Sequence, residues 1–103
     1  MKTNTEIKDG KSYVSVEGSI NSANAPEFEE ALAAVPGETD GLILDAENLE
    51  YISSAGLRVL LSAKKRCGKK LFRIINVHPE VQNIFDVTGF SEIMEIVPAS
   101  RKI

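Results

Sequence analysis

The sequence contains one cysteine, one histidine and no tryptophan. A single thiol cannot close an internal disulfide, and a zinc site built from four Cys or His side chains needs more ligands than this chain carries. Such cysteine usage fits a reducing, cytoplasmic setting. Long apolar runs are absent too: none approaches the roughly 20 residues of a membrane-spanning helix, so no membrane insertion is expected. The polar opening MKTNTEIKDG is no secretory leader. Basic charge is not in excess, for 12 Lys and Arg stand against 15 Asp and Glu, a net charge of -3. That balance argues against nucleic acid as a partner, because phosphate neutralisation requires a concentrated basic surface. Neither Gly-x-x-x-x-Gly-Lys nor Gly-x-Gly-x-x-Gly occurs, so no loop is patterned to cradle phosphates, and nothing calls for a cofactor.

What is present is ordinary for a globular protein: 43% apolar and 26% charged residues in a chain of 103. That length supports a single domain, residues 1–103. Residues 5–8 read as a weak first strand, and Asp9-Gly10 as a tight hairpin turn. Residues 12–18 alternate, with Val14 and Val16 on one face and Tyr13, Ser15 and Glu17 on the other. NAPEFEEALAAV reads as a helix: Asn24 and Glu27 fit a capping box, and Pro26 suits a first turn. Ala25, Phe28, Leu32 and Val35 form its apolar stripe, and Pro36-Gly37 ends it. Leu42, Ile43 and Leu44 are consecutive apolar residues, as in a central strand. A helix follows from Ser54, with Leu57, Leu60, Leu61 and Lys64 along one side, widened by Val59 and Ala63 and stopped at Gly68. Residues 70–76 form a strand, and Pro79 opens a helix facing inward through Val81, Ile84, Phe85 and Thr88 as far as Gly89. Residues 93–97 form a last strand before Pro98. The order β-β-α-β-α-β-α-β implies an α/β fold: a mixed sheet with an N-terminal antiparallel hairpin, then parallel β-α-β units with helices packed on the sheet.

Catalysis has little to rest on. A nucleophile elbow needs Gly-x-Ser-x-Gly, and ISSAG lacks the first glycine. His78 directly precedes Pro79 and reads as a helix entry, so the chain is not expected to be an enzyme. Asp45, Glu47 and Glu50 read as a solvated acidic rim on a loop rather than as metal ligands. Lys64, Lys65, Arg66, Lys69 and Lys70 gather where a helix C-terminus favours cations, and Cys67 among them suits a half-buried helix position. Ser53 and Ser54 remain. One serves as an N-cap, and the same position, at the C-terminal end of a parallel strand, also faces the ligand edge of an α/β sheet. A phosphate there would meet the positive end of the helix dipole. The residues by themselves do not choose between cap and modification site.

The run LILDAENLEYISSAGLRVLLSAKKR, residues 42–66, resembles the signature of STAS domains, shared by sulphate transporters and anti-sigma factor antagonists. In that pattern an apolar strand ends in Asp, here Asp45, and Asp-Ser-Ser/Thr-Gly-Leu opens a helix, here Ser53-Ser54-Ala55-Gly56-Leu57. VEGSINSANAPEFEEAL is similar to the family's second strand, turn and first helix, and NVHPEVQNIFDVTGFSEIMEI to its third helix and last strand. The resemblance implies a STAS-like fold and a bacterial, cytoplasmic anti-sigma factor antagonist. Such a protein binds an anti-sigma factor that is often a serine kinase, is released when phosphorylated, and is reset by a metal-dependent serine phosphatase. By position the phosphoacceptor is Ser54. Ser53 stands where the family has Asp, and so is a second candidate acceptor, and Ala55 replaces a Ser/Thr. The implied partner face comprises Asn21, Ser22, Asp45, Ser53, Ser54, Gly56 and Arg58. Gly56, without a Cβ, is expected to let another backbone approach, and the chain is expected to be a monomer or weak dimer. The alternative the resemblance leaves is an unphosphorylated scaffold subunit of a transporter or signalling assembly. Family members commonly add a C-terminal helix, whereas PASRKI provides no more than a turn.

Overall fold

A computed structural model describes residues 1–36 and 39–99. In chain order the elements are β1 (Lys2–Lys8), β2 (Lys11–Ile20), α1 (Ala25–Ala33), β3 (Gly41–Ile52), α2 (Ser54–Cys67), β4 (Leu71–Val77), α3 (Pro79–Val87), α4 (Phe90–Ile93) and β5 (Glu95–Pro98). The strands form one sheet whose spatial order is the chain order, β1-β2-β3-β4-β5. The β1–β2 pair is antiparallel and the other pairs are parallel, as expected from the sequence. The hairpin turns at Asp9 and Gly10, both at positive φ (51° and 78°), the values that an Asp-Gly turn supplies.

Right-handed crossovers between strands laid down in one direction put every helix on the same side of the sheet. The register agrees. Val14, Leu44 and Ile74 are aligned neighbours on β2, β3 and β4, as are Ser12, Leu42 and Phe72. All but Ser12 belong to one core, shared with Phe28 and Leu32 of α1, Leu57 and Leu60 of α2, and Val81 and Phe85 of α3. Phe28 and Phe85 are fully buried, each contributing about 1.5–3 kcal/mol. The alternate set, Tyr13, Ile43, Arg73 and Ile75, lies outside that core. There Arg73 forms an ion pair with Glu95 of β5.

Several expectations are corrected. The capping box of α1 does not form: the Asn24 amide reaches back, donating to the Ser19 carbonyl at 2.9 Å and accepting the Asn21 N–H at 2.8 Å. The helix ends at Ala33, before Pro36, and Gly37 lies outside the described residues. Thr88 is exposed rather than inward, its hydroxyl donating to the Ile84 carbonyl at 2.7 Å. Ile93 belongs to the unforeseen helix α4, and Pro98 closes β5 opposite Val77. The expected turn at the C-terminus falls largely on residues 100–103, outside the described residues.

The largest correction concerns β3. It does not stop after Asp45 but continues to Ile52, so Glu47 and Glu50 lie on a strand rather than a loop. Pairing to β4 ends at Asp45 opposite Ile75, while pairing to β2 runs on to Ile52 opposite Ile20. A register shift between Ser15 and Glu17 marks a bulge in this β2–β3 pair. The second half of β3 therefore has one neighbour only, which is where exposed Glu47, Asn48 and Glu50 can be tolerated.

Candidate functional site

The candidate site begins where β3 hands over to α2. The Ser53 N–H donates to the Ile20 carbonyl at 2.9 Å, tying this corner to the end of β2. Ser53 is extended (φ -85°, ψ 173°) and its Oγ accepts the Gly56 N–H at 3.3 Å. It is the N-cap, satisfying one of the helix's orphan donors. Ser54 is the first residue of α2 and is exposed. The two serines therefore have different tasks: one hydroxyl is committed to the cap, the other stands at the surface.

Gly56 is buried. A Cβ there would lie 2.6 Å from Ile52 Cγ1 and 2.8 Å from Ile20 Cγ2. Its missing side chain brings the first turn of α2 onto the ends of β2 and β3. Leu57 and Leu60 then anchor the helix in the core, while Arg58, one turn beyond Ser54, is exposed. Lys64, Lys65 and Arg66 close the last turn, where cations complement the helix dipole.

The neighbouring turn between β2 and α1 is held by Asn21. Its Oδ1 accepts the N–H groups of Ala23 (2.9 Å) and Asn24 (3.0 Å). Ser22, exposed beside it, lines a groove of about 390 Å³ with Pro26 and Glu29 of α1 and Ala55, Arg58 and Ser62 of α2. Thus Ser22 and Arg58 come together across the α1–α2 groove, whose lining includes Ala55, the residue after Ser54. Sequence patterning gave no sign of Glu29 or Ser62 there, because the groove exists only once the helices pack side by side.

Asp45 has different company. It is half-buried, and Oδ1 accepts the Glu47 N–H and the Asn76 side-chain amide, each at 3.0 Å. It thereby joins the β3 bulge to Asn76, which sits near the end of β4 at a positive φ of 58°. Asp45 lines a recess with Ser15, Glu47 and Asn48 that does not include Ser54. His78 precedes α3 without capping it and lines another recess with Glu17, Glu50 and Glu80. Among the described residues no group of three His, Cys, Asp or Glu side chains is placed to hold a metal, and no helix is long and apolar enough to cross a membrane. Burial pushes the Cys67 thiol above its ordinary pKa, outweighing Arg66, Lys70 and Lys64 nearby.

The family model for the STAS domain matches residues 2–103. A Bordetella bronchiseptica protein assigned as an anti-sigma factor antagonist, BtrV, is 34% identical over 99 residues, covering 93% of this chain and 85% of its own. The anti-sigma-B factor antagonist of Bacillus subtilis is 25% identical over 105 residues, with 98% and 96% covered. The crystal structure of an anti-sigma factor antagonist from Mycobacterium paratuberculosis superposes with a TM-score of 0.86 at 30% identity, covering 94% of this chain and 85% of that one. SpoIIAA in its unphosphorylated form shares the fold, with a TM-score of 0.71 at 11% identity over 97% of this chain and 90% of its own. These relatives are named for a regulatory role, the antagonism of anti-sigma factors. With its sequential mixed sheet, its serine-capped helix and these relatives, the chain belongs to the STAS domain family.

Proposed function

We propose that this protein is an anti-sigma factor antagonist that binds an anti-sigma factor with serine-kinase activity through the start of α2, and that phosphorylation of Ser54 releases it. A metal-dependent serine phosphatase would restore the binding form. The observation that carries this reading is the division of labour at the corner: Ser53 caps the helix, so the exposed Ser54 hydroxyl can be modified without uncapping it. Asn21 and Ser22, exposed on the turn after β2, and Arg58, exposed on α2, are the proposed contact residues with Ser54. Ser53 and Gly56 hold the backbone beneath the face, while Asp45 fastens β3 to Asn76 in a separate recess. The names of the relatives support the class of partner.

The proposed chemistry is electrostatic. A phosphoserine carries about -1.5 to -2 charges at neutral pH. At the first residue of α2 that charge meets the positive helix end, so the modified domain stays folded. Arg58, four residues on, is within side-chain reach for an ion pair. Docking would strip water from this dianion, and a buried, imperfectly paired charge costs several kcal/mol. Each 1.4 kcal/mol is about tenfold in affinity, so release requires no change of fold.

The test is incubation with ATP and the cognate kinase, followed by peptide mass spectrometry and a pull-down. Phosphate is expected on Ser54, with Ser54→Ala retaining the kinase and Ser54→Asp losing it. An unmodified Ser54, or equal binding by both variants, would overturn the proposal.

A further inference from the structure

We propose that two copies of this chain pair through the outer edge of β1, in a register centred on Asn4. β1 is a seven-residue strand with every residue exposed, and it pairs with β2 alone. Its other side presents unpaired backbone N–H and C=O groups, a template for another strand. Two of the usual protections are missing: its register with β2 is uninterrupted by a bulge, and it contains neither Pro nor Gly. The charges it does carry, Lys2, Glu6 and Lys8, are of mixed sign, and Glu6 pairs with Lys8 at 3.4 Å. The opposite edge, β5, is four residues long and ends in Pro98, which has no N–H to donate. Among the described strands, only β1 can template a long partner.

The occupant follows from the side chains. When β1 meets its own copy antiparallel with Asn4 on the two-fold axis, Lys2 lies opposite Glu6 and Thr3 opposite Thr5, each pair occurring twice. Opposite charges and Thr–Thr pairs across strands are favourable. The next register that preserves hydrogen-bond alternation centres on Thr5 and places Lys2 opposite Lys8, a like-charge pair. A register centred on Ile7 sets Glu6 opposite Lys8 but engages only the last three residues of the strand. Of the two registers that engage most of it, one is thus self-complementary and the other self-repelling. Ile7, 59% exposed, lies opposite Met1 of the copy in the favoured register. Pairing about a two-fold axis closes on itself and yields a dimer rather than a fibre. It also reverses strand direction between copies, so the two α2 N-termini face opposite ends of the joined sheet and neither obstructs the other.

The test is sedimentation velocity at rising protein concentration, with folding of each variant checked by circular dichroism. The wild-type chain is expected to form a dimer. Lys2→Glu and Glu6→Lys, both on exposed side chains, should each weaken it by about tenfold, because two attractive pairs become repulsive. The double variant, which exchanges the charges, should restore it. A wild-type chain that stays monomeric to its solubility limit overturns the proposal, as does a dimer indifferent to both single substitutions. Strengthening by Lys2→Glu would also overturn it, by selecting the register centred on Thr5.

Discussion

Ser53 and Ser54 are the same chemical group one position apart, and backbone geometry alone separates them. Ser53→Ala should lower unfolding free energy by about 1 kcal/mol in a urea titration, the usual worth of an N-cap, while Ser54→Ala should be near neutral. The sequence could not make this distinction because either serine is a good cap. What decides is the bond from the Ser53 N–H to Ile20, a contact with a strand more than thirty residues earlier. Gly56 is a similar case. Gly56→Ala gains about 1 kcal/mol of helix propensity but forces a methyl against Ile20 and Ile52, and such overpacking costs about 1–3 kcal/mol. The clash should win, giving a lower urea midpoint. At Cys67 burial favours the neutral thiol. Its alkylation by iodoacetamide at neutral pH should be slower in the folded protein than in urea, and should accelerate as pH rises above the ordinary thiol range.

Elements were legible where periodicity and turn chemistry agreed. The Asp-Gly turn, the alternating Val14 and Val16, and the Ser54 helix with its Gly68 stop all read correctly, because each is fixed by residues a few positions apart. The second half of β3 did not. Glu47, Asn48 and Glu50 look like loop residues, and they are tolerated in a strand only because β4 has already ended its pairing. The α3–α4 junction was hidden for a related reason: Asp86 accepts a hydrogen bond from Ser91 across the turn, beside one from Gln82 within α3, a link visible only after folding. These bonds, Ser91 foremost, hold the Asp86 carboxyl below its usual pKa. A lowered carboxylate pKa stabilises the fold above the unfolded value and loses that contribution as pH falls through the folded one. Ser91→Ala should therefore move the Asp86 titration, followed by NMR, up toward the ordinary aspartate value.

For the molecule as a whole, stability should grade from the centre of the sheet outward. Leu42, Ile43 and Leu44 of β3 are buried with strands on both sides, whereas every residue of β1 is exposed and β5 is short. Amide hydrogen exchange should be slowest at Leu42 and Leu44 and faster by orders of magnitude at Thr3 and Val97. Fold class was readable from the order of elements, since right-handed connections leave few ways to arrange them. The α1–α2 groove beside Ser54 was not, because it depends on which helices become neighbours. The sequential strand order also bears on how the protein is made. During synthesis each strand leaves the ribosome after the one it will sit beside, so the nascent sheet grows at a single edge with no gap awaiting a later segment. Domains emerge at about 5–20 residues per second, far slower than hairpins form. The hairpin of β1 and β2 can therefore close before α1 exists, and each later β-α unit has a finished surface on which to settle.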